Sequence, residues 1–167
     1  MTNEIVDNLQ FDEDAGALNY KGIRYFLIRP ETLADLYALV KEALGEEGDE
    51  AFLRAGHTGV SRSLQAYDAD LGLKGKDLLA HLLRTGTELG WGKIELLSLD
   101  LAGNTMVIGV KNSVFAPSSG WGEPRCHMLR GVLSAIGAAV FGAPASTREI
   151  ACLGMGDASC RFVVTAK

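Results

Sequence analysis

The chain has 167 residues, the length of one domain and enough to bury a core without disulfides. Apolar residues make up 47% and charged residues 22%, as in soluble globular proteins. The formal charge of -5, with 16 basic residues scattered among 21 acids, excludes the clustered basic face that a nucleic-acid partner requires.

The N-terminus, Met1 to Asp7, has neither a basic nor an apolar region, so no secretory signal is readable. The longest apolar segment, Gly131 to Pro144, is too short to span a bilayer. The expectation is a cytoplasmic protein without membrane insertion. In a reducing compartment its three cysteines serve as thiols or metal ligands rather than disulfides.

In chain order, Phe11 to Leu18 and Gly22 to Ile28 predict a hairpin, turning at Asn19 to Gly22. Pro30 stops the second strand and starts a helix. Leu33, Leu36, Tyr37, Leu39, Val40 and Leu44 recur at helical spacing there, and Gly45 ends the run. A second helix is predicted from Asp49 to Ala66. Its Gly56 and Gly59 each cost about 1 kcal/mol relative to alanine, unless they let a backbone or ligand approach closely. Tyr67 to Lys76 reads as a polar loop, and Lys76 to Leu89 as a third helix stopped by Gly90. Lys93 to Leu101 and Thr105 to Val110 read as paired strands around Ala102-Gly103-Asn104. After a glycine- and serine-rich loop, Asn112 to Pro124, a fourth helix runs from Arg125 to Phe141. Gly131, Ser134, Ala135, Gly137, Ala138 and Ala139 suit it to tight packing against a sheet or a sister subunit. Glu149 to Leu153 and Arg161 to Thr165 form a terminal hairpin. With no repeat or linker, residues 1–167 read as a single α+β domain, an antiparallel sheet packed with helices.

The chemistry sits in the last quarter. Cys152 and Cys160 flank a turn containing Gly154, Gly156 and Asp157, with Glu149 three residues ahead and Cys126 at a helix start. Spacing alone leaves two readings open: reduced core thiols, or ligands around one tetrahedral ion. In the second, Cys126 supplies a third thiol, Glu149 completes the shell, and zinc is the natural occupant. A regular strand would put Glu149 and Cys152 on opposite faces, so Glu149 precedes the strand or a bulge intervenes. Three thiolates and a carboxylate around a dication leave two excess negative charges. Arg125, Arg148, Arg161 and the N–H groups of Gly154 to Asp157 are placed in sequence to offset them.

This spacing of Cys126, Glu149, Cys152 and Cys160, with Gly156-Asp157 before the last cysteine, resembles the 4-vinyl reductase domain family. That family includes pigment-biosynthesis proteins and the sensor domains of aromatic-responsive bacterial activators. The resemblance implies a structural zinc held by those four residues. It also implies a fold related to the transport-particle and NO-signalling ligand-binding folds, a homodimer, and an effector pocket near the zinc lined by aromatics and a histidine. His81, Trp91, Val110, Phe115 and Trp121 are the candidate lining; Val110 stands where the sensors carry a tryptophan, which implies a differently shaped apolar pocket.

Other motifs add nothing. His57 reads as a solvated helix position. Neighbours on a helix project about 100° apart, so Cys126-His127 is not a thiol–base pair. Gly154-Met155-Gly156 lacks a strand–helix context, and no zinc-deaminase signature is present. A shell of four protein ligands leaves no open position, so the zinc is structural. The expected function is a sensor or carrier domain binding an apolar or aromatic small molecule. The chain ends just after the hairpin, so signalling is expected through a partner protein. The alternatives are a tetrapyrrole 4-vinyl reductase or its accessory subunit, for which no flavin or nicotinamide motif is visible, and an assembly role.

Overall fold

The computed structural model describes residues 2–116 and 122–167. Its N-terminal stretch forms more than the expected hairpin. A short helix α1 (Glu4–Asn8), capped by Asn3, precedes an antiparallel meander of β1 (Gln10–Asp12), β2 (Ala17–Tyr20) and β3 (Ile23–Tyr25). The β2–β3 turn falls on Lys21 and Gly22, both at positive φ. Strand β3 stops at Tyr25 rather than Ile28. Phe26, Leu27 and Ile28 favour strand, but they pair with no strand among the described residues and stay exposed at 77, 82 and 47%.

Helix α2 (Pro30–Leu44) starts on its proline and ends at Gly45, as the sequence predicts. Its leucines are not buried as their spacing suggests: among the described residues α2 buries Tyr37, while Leu36, Leu39 and Leu44 are 47, 63 and 53% exposed. Helix α3 (Glu46–Leu71) runs past Ala66 into the expected loop and ends at Gly72. Helix α4 (Gly75–Glu88) buries Leu78, Leu79 and Leu83.

The second sheet contains β4 (Lys93–Asp100), β5 (Thr105–Lys111), β6 (Ala145–Ala151) and β7 (Cys160–Ala166). Its order is β4-β5-β7-β6, with every neighbouring pair antiparallel. Strands β5 and β6 therefore run parallel on either side of β7, and α5 (His127–Phe141) is the crossover that joins them. The core lies where α5 covers this sheet: Leu129 and Leu133 meet Met106, Ile108, Phe162 and Val164, all at 0% exposure.

The small residues of α5 answer to two surfaces. A Cβ at Gly131 would stand 1.9 Å from the Leu53 carbonyl oxygen of α3, and one at Gly56 would stand 2.0 Å from the Met128 oxygen of α5. Helices α3 and α5 thus meet backbone to backbone, which is the close approach that Gly56 allows. On the sheet side, a Cβ at Gly137 would stand 2.6 Å from Val164 Cγ1. The buried Ser134 hydroxyl is 2.9 Å from both Arg130 O and Thr147 Oγ1, fixing α5 to β6. No described helix is long and apolar enough to cross a membrane.

Candidate metal centre and ligand cavity

The four expected ligands come together. One donor atom from each of Cys126, Glu149, Cys152 and Cys160 lies within 4.8 Å of the others, and the three cysteines are fully buried. Each comes from a different local device. Cys126 is the residue before the first turn of α5, and Cys160 opens β7 opposite Val110. Glu149 lies near the end of β6. The register slips between Glu149 and Ala151, where Ile150 is the extra residue and is 43% exposed. This bulge answers the objection from strand alternation by bringing Glu149 and Cys152 to one side.

A single 3₁₀ turn, Leu153–Met155, then reverses the chain through Gly156 at φ 93°, a conformation that disfavours side chains. Asp157 holds the turn: Cys152 N donates to its carboxylate at 2.8 Å, and Asp157 N donates to Cys152 O at 3.2 Å. The N–H groups of Met155, Gly156 and Asp157 are spent on carbonyls inside the turn, so they do not face the cluster as expected. Leu153 N instead donates to Cys160 Sγ at 3.4 Å. The arginines also differ from expectation, since Arg125 pairs with Glu123 at 3.3 Å and Arg148 and Arg161 are exposed.

The donor set fits a zinc ion. Two thiolates each about 2.3 Å from a tetrahedral zinc stand about 3.8 Å apart; Cys126 Sγ and Cys160 Sγ are 3.5 Å apart. Glu149 Oε2 accepts from Cys126 N at 3.2 Å, while its buried Oε1 has no hydrogen-bond partner. A buried orphan acceptor beside three thiols is the position a cation would satisfy. The titration pattern agrees. Burial and the neighbouring Cys152 push Glu149 up to about 8. S–H donation from Cys126 and Cys160 holds Cys152 below the ordinary thiol range. The same bond to Cys152, with burial, raises Cys126. At Cys160 the Cys126 thiol lowers the value, but Cys152 and burial outweigh it and leave the thiol up at about 12. One negative charge shared by three thiols is what a metal would replace.

Helix α5 carries no side-chain cap of its own. Its first turn is held from outside, with Cys126 N donating to Glu149 and Met128 N donating to Tyr37 Oη at 2.8 Å. Tyr37 is buried and stacks on Phe52 with ring centroids 3.6 Å apart. Beside them His127 Nε2 faces Asp49 at 3.5 Å and its Nδ1 faces Arg130 at 3.3 Å. His127 is thus engaged away from Cys126.

A cavity of about 800 Å³ opens on another part of α5. Met128, Val132 and Ile136, at i, i+4 and i+8, form one wall. Gly56, Gly59, Val60 and Leu64 of α3 form a second, and Leu78, His81, Leu82 and Thr85 of α4 a third. Ile5, Tyr20, Ile23 and Tyr25 of the N-terminal elements complete it. His81 and Trp91 are among the lining residues; burial lowers the His81 pKa, favouring the neutral ring. Val110 and Phe115, expected as walls, lie in the core instead. Val110 is fully buried opposite Cys160, and Phe115 meets Trp91 edge-on at 5.8 Å from behind. Trp121 lies outside the described residues. His57 is exposed and is not among the cavity's lining residues. Tyr37 and the N-terminal walls escaped the sequence reading, whereas the helical spacing of Met128, Val132 and Ile136 was a usable signal.

The fold class is a known one. The phenol-responsive sensory domain of the transcription activator PoxR, solved with phenol, is 19% identical, covering 98% of this chain and 87% of that one, with a TM-score of 0.80. A trafficking protein particle complex subunit 3 from Naegleria fowleri, covalently bound to palmitic acid, is 11% identical over 83% of this chain and 92% of its own, with a TM-score of 0.61. A vinyl-4-reductase family protein from Methanocaldococcus jannaschii is 18% identical over 85% and 84%, with a TM-score of 0.58. At these identities the likeness is one of fold, and it bears out the expected relationship to transport-particle subunits. No curated protein sequence matches. Residues 106–166 match the family model of the 4-vinyl reductase domain. The resemblance to that family therefore holds over the segment that carries all four ligand positions.

Proposed function

We propose that residues 1–167 form one small-molecule-binding domain, a sensor or carrier, in which a structural zinc braces the framework of an apolar pocket. The observation that carries this reading is that α5 serves both sites. Its N-terminal Cys126 belongs to the Cys126–Glu149–Cys152–Cys160 cluster, and its Met128, Val132 and Ile136 wall the cavity. Zinc held by those four residues ties the start of α5 to the β6–β7 turn and fixes the angle at which the helix crosses the cavity. Four protein ligands leave the metal no open position, so its contribution is structural.

The cavity has the size and mainly apolar lining of a small-molecule site. The phenol in the PoxR sensory domain supports an aromatic or apolar occupant. The exposed Phe26, Leu27, Leu36, Leu39 and Leu44 support a homodimer or a signalling partner covering this region. Titration of the zinc-loaded protein with aromatic alcohols, followed by Trp91 fluorescence, tests the reading. Saturable binding is expected; no response to any compound would contradict it.

A further inference from the structure

We infer that the cavity's ligand is an uncharged, largely apolar molecule with the bulk of at least two aromatic rings. The inference rests on the cavity being a binding site, as proposed above, and adds what that site selects. Size is the first argument. An apolar cavity of about 150 Å³ is filled by one benzene. The cavity here, at about 800 Å³, is roughly five times larger. A single ring would leave most of its walls without contact, forfeiting the dispersion that a filled cavity gains.

Charge is the second argument. Apart from His81, the charged lining residues are Glu4, Lys21 and Glu88. Glu4 is bound by Lys21 at 3.2 Å and by Arg84 at 3.5 Å, and it accepts from Tyr20 at 2.9 Å. Glu88 is paired with the same Arg84 at 3.8 Å. Two carboxylates and two cations thus balance at the rim, and an ionic ligand would have to break a pair to find a counter-charge. Burying it unpaired is strongly unfavourable. The hydroxyls of Ser63 and Thr85 donate to Gly59 O and His81 O within their own helices, leaving acceptor capacity but no free donor.

Gly59 supplies the means of testing size. It lines the cavity, its backbone is helical, and a Cβ built on it meets nothing within 4 Å. A large side chain there would enter open space, unlike one at Gly56.

The experiment is calorimetric titration of the zinc-loaded protein with phenol, biphenyl-4-ol and biphenyl-4-carboxylate, repeated on Gly59→Phe. Biphenyl-4-ol is expected to bind at least about tenfold tighter than phenol, because the second ring is also buried. It should exceed the carboxylate by at least about tenfold, because the anion finds no free cation. Gly59→Phe should weaken biphenyl-4-ol by about tenfold and leave phenol within about threefold. Gly59→Leu, adding less bulk, should shift affinities in the same direction by less and covers the case in which the phenylalanine variant fails to fold. Phenol binding as tightly as biphenyl-4-ol, a carboxylate binding as tightly as the alcohol, or indifference to both Gly59 variants would overturn the inference while leaving the cavity a binding site. Binding of none of the three would overturn both.

Discussion

Replacing Gly131 with alanine should force α3 and α5 apart. The new Cβ would stand 1.9 Å from Leu53 O and 2.8 Å from His57 N, both backbone atoms that cannot rotate away. Carbon and oxygen approach no closer than about 3.3 Å even in favourable C–H···O contacts. The helices must therefore separate by more than 1 Å, whereas a gap of only about 0.5–1 Å already forfeits a quarter to a half of each dispersion contact across it. Overpacking of this kind costs several kcal/mol, offset by about 1 kcal/mol gained when alanine replaces glycine in a helix. The net loss is about 2–4 kcal/mol, or roughly 5–15 °C in Tm for a chain of this size. Thermal unfolding followed by far-ultraviolet circular dichroism measures it. Gly59→Ala is the control on α3: its Cβ meets nothing, so it should gain up to about 1 kcal/mol and melt about 2–4 °C higher. A Gly131→Ala protein melting at or above the unsubstituted chain would refute the backbone contact.

Two further outcomes follow from the metal centre and its surroundings. Tyr37→Phe removes the acceptor of Met128 N in the uncapped first turn of α5, and should cost about 1–2 kcal/mol in thermal unfolding; an unchanged Tm would show that the bond contributes nothing. Zinc affinity should fall as the pH is lowered, because Glu149, up at about 8, Cys160, up at about 12, and Cys126, raised beyond the ordinary thiol range, must each lose a proton to bind metal. From about pH 8 to about pH 6 the fall is roughly tenfold per unit for each such proton, measured by competition with a chromogenic chelator; a flat profile would contradict the ligand set.

The four-residue cluster was legible in the sequence because its chemistry is carried by residue type. Three cysteines and a glutamate at this spacing have few other uses, and the bulge that strand alternation demanded is present at Ile150. The cavity was far less legible. Its walls are apolar side chains from three helices and the N-terminal strands, and nothing in a valine's identity separates a cavity wall from a core contact. Val110 and Val132 show the difficulty: the first is packed solidly opposite Cys160, and the second lines open space. Periodicity likewise marked Leu36, Leu39 and Leu44 as an apolar helix face but could not say what covers it. The glycines of α3 and α5 were read as costs or close approaches; only the backbone positions show that Gly56 and Gly131 are contacts and Gly59 borders open space.

The central claim is a zinc that braces α5 against the β6–β7 turn, and metal analysis of protein purified without chelators tests it most directly. The account predicts about one zinc per chain, with Cys152→Ser losing both the metal and thermal stability, since binding a structural zinc is coupled to folding. Metal well below one equivalent in the unsubstituted protein, or full metal content and an unchanged Tm in Cys152→Ser, would contradict it.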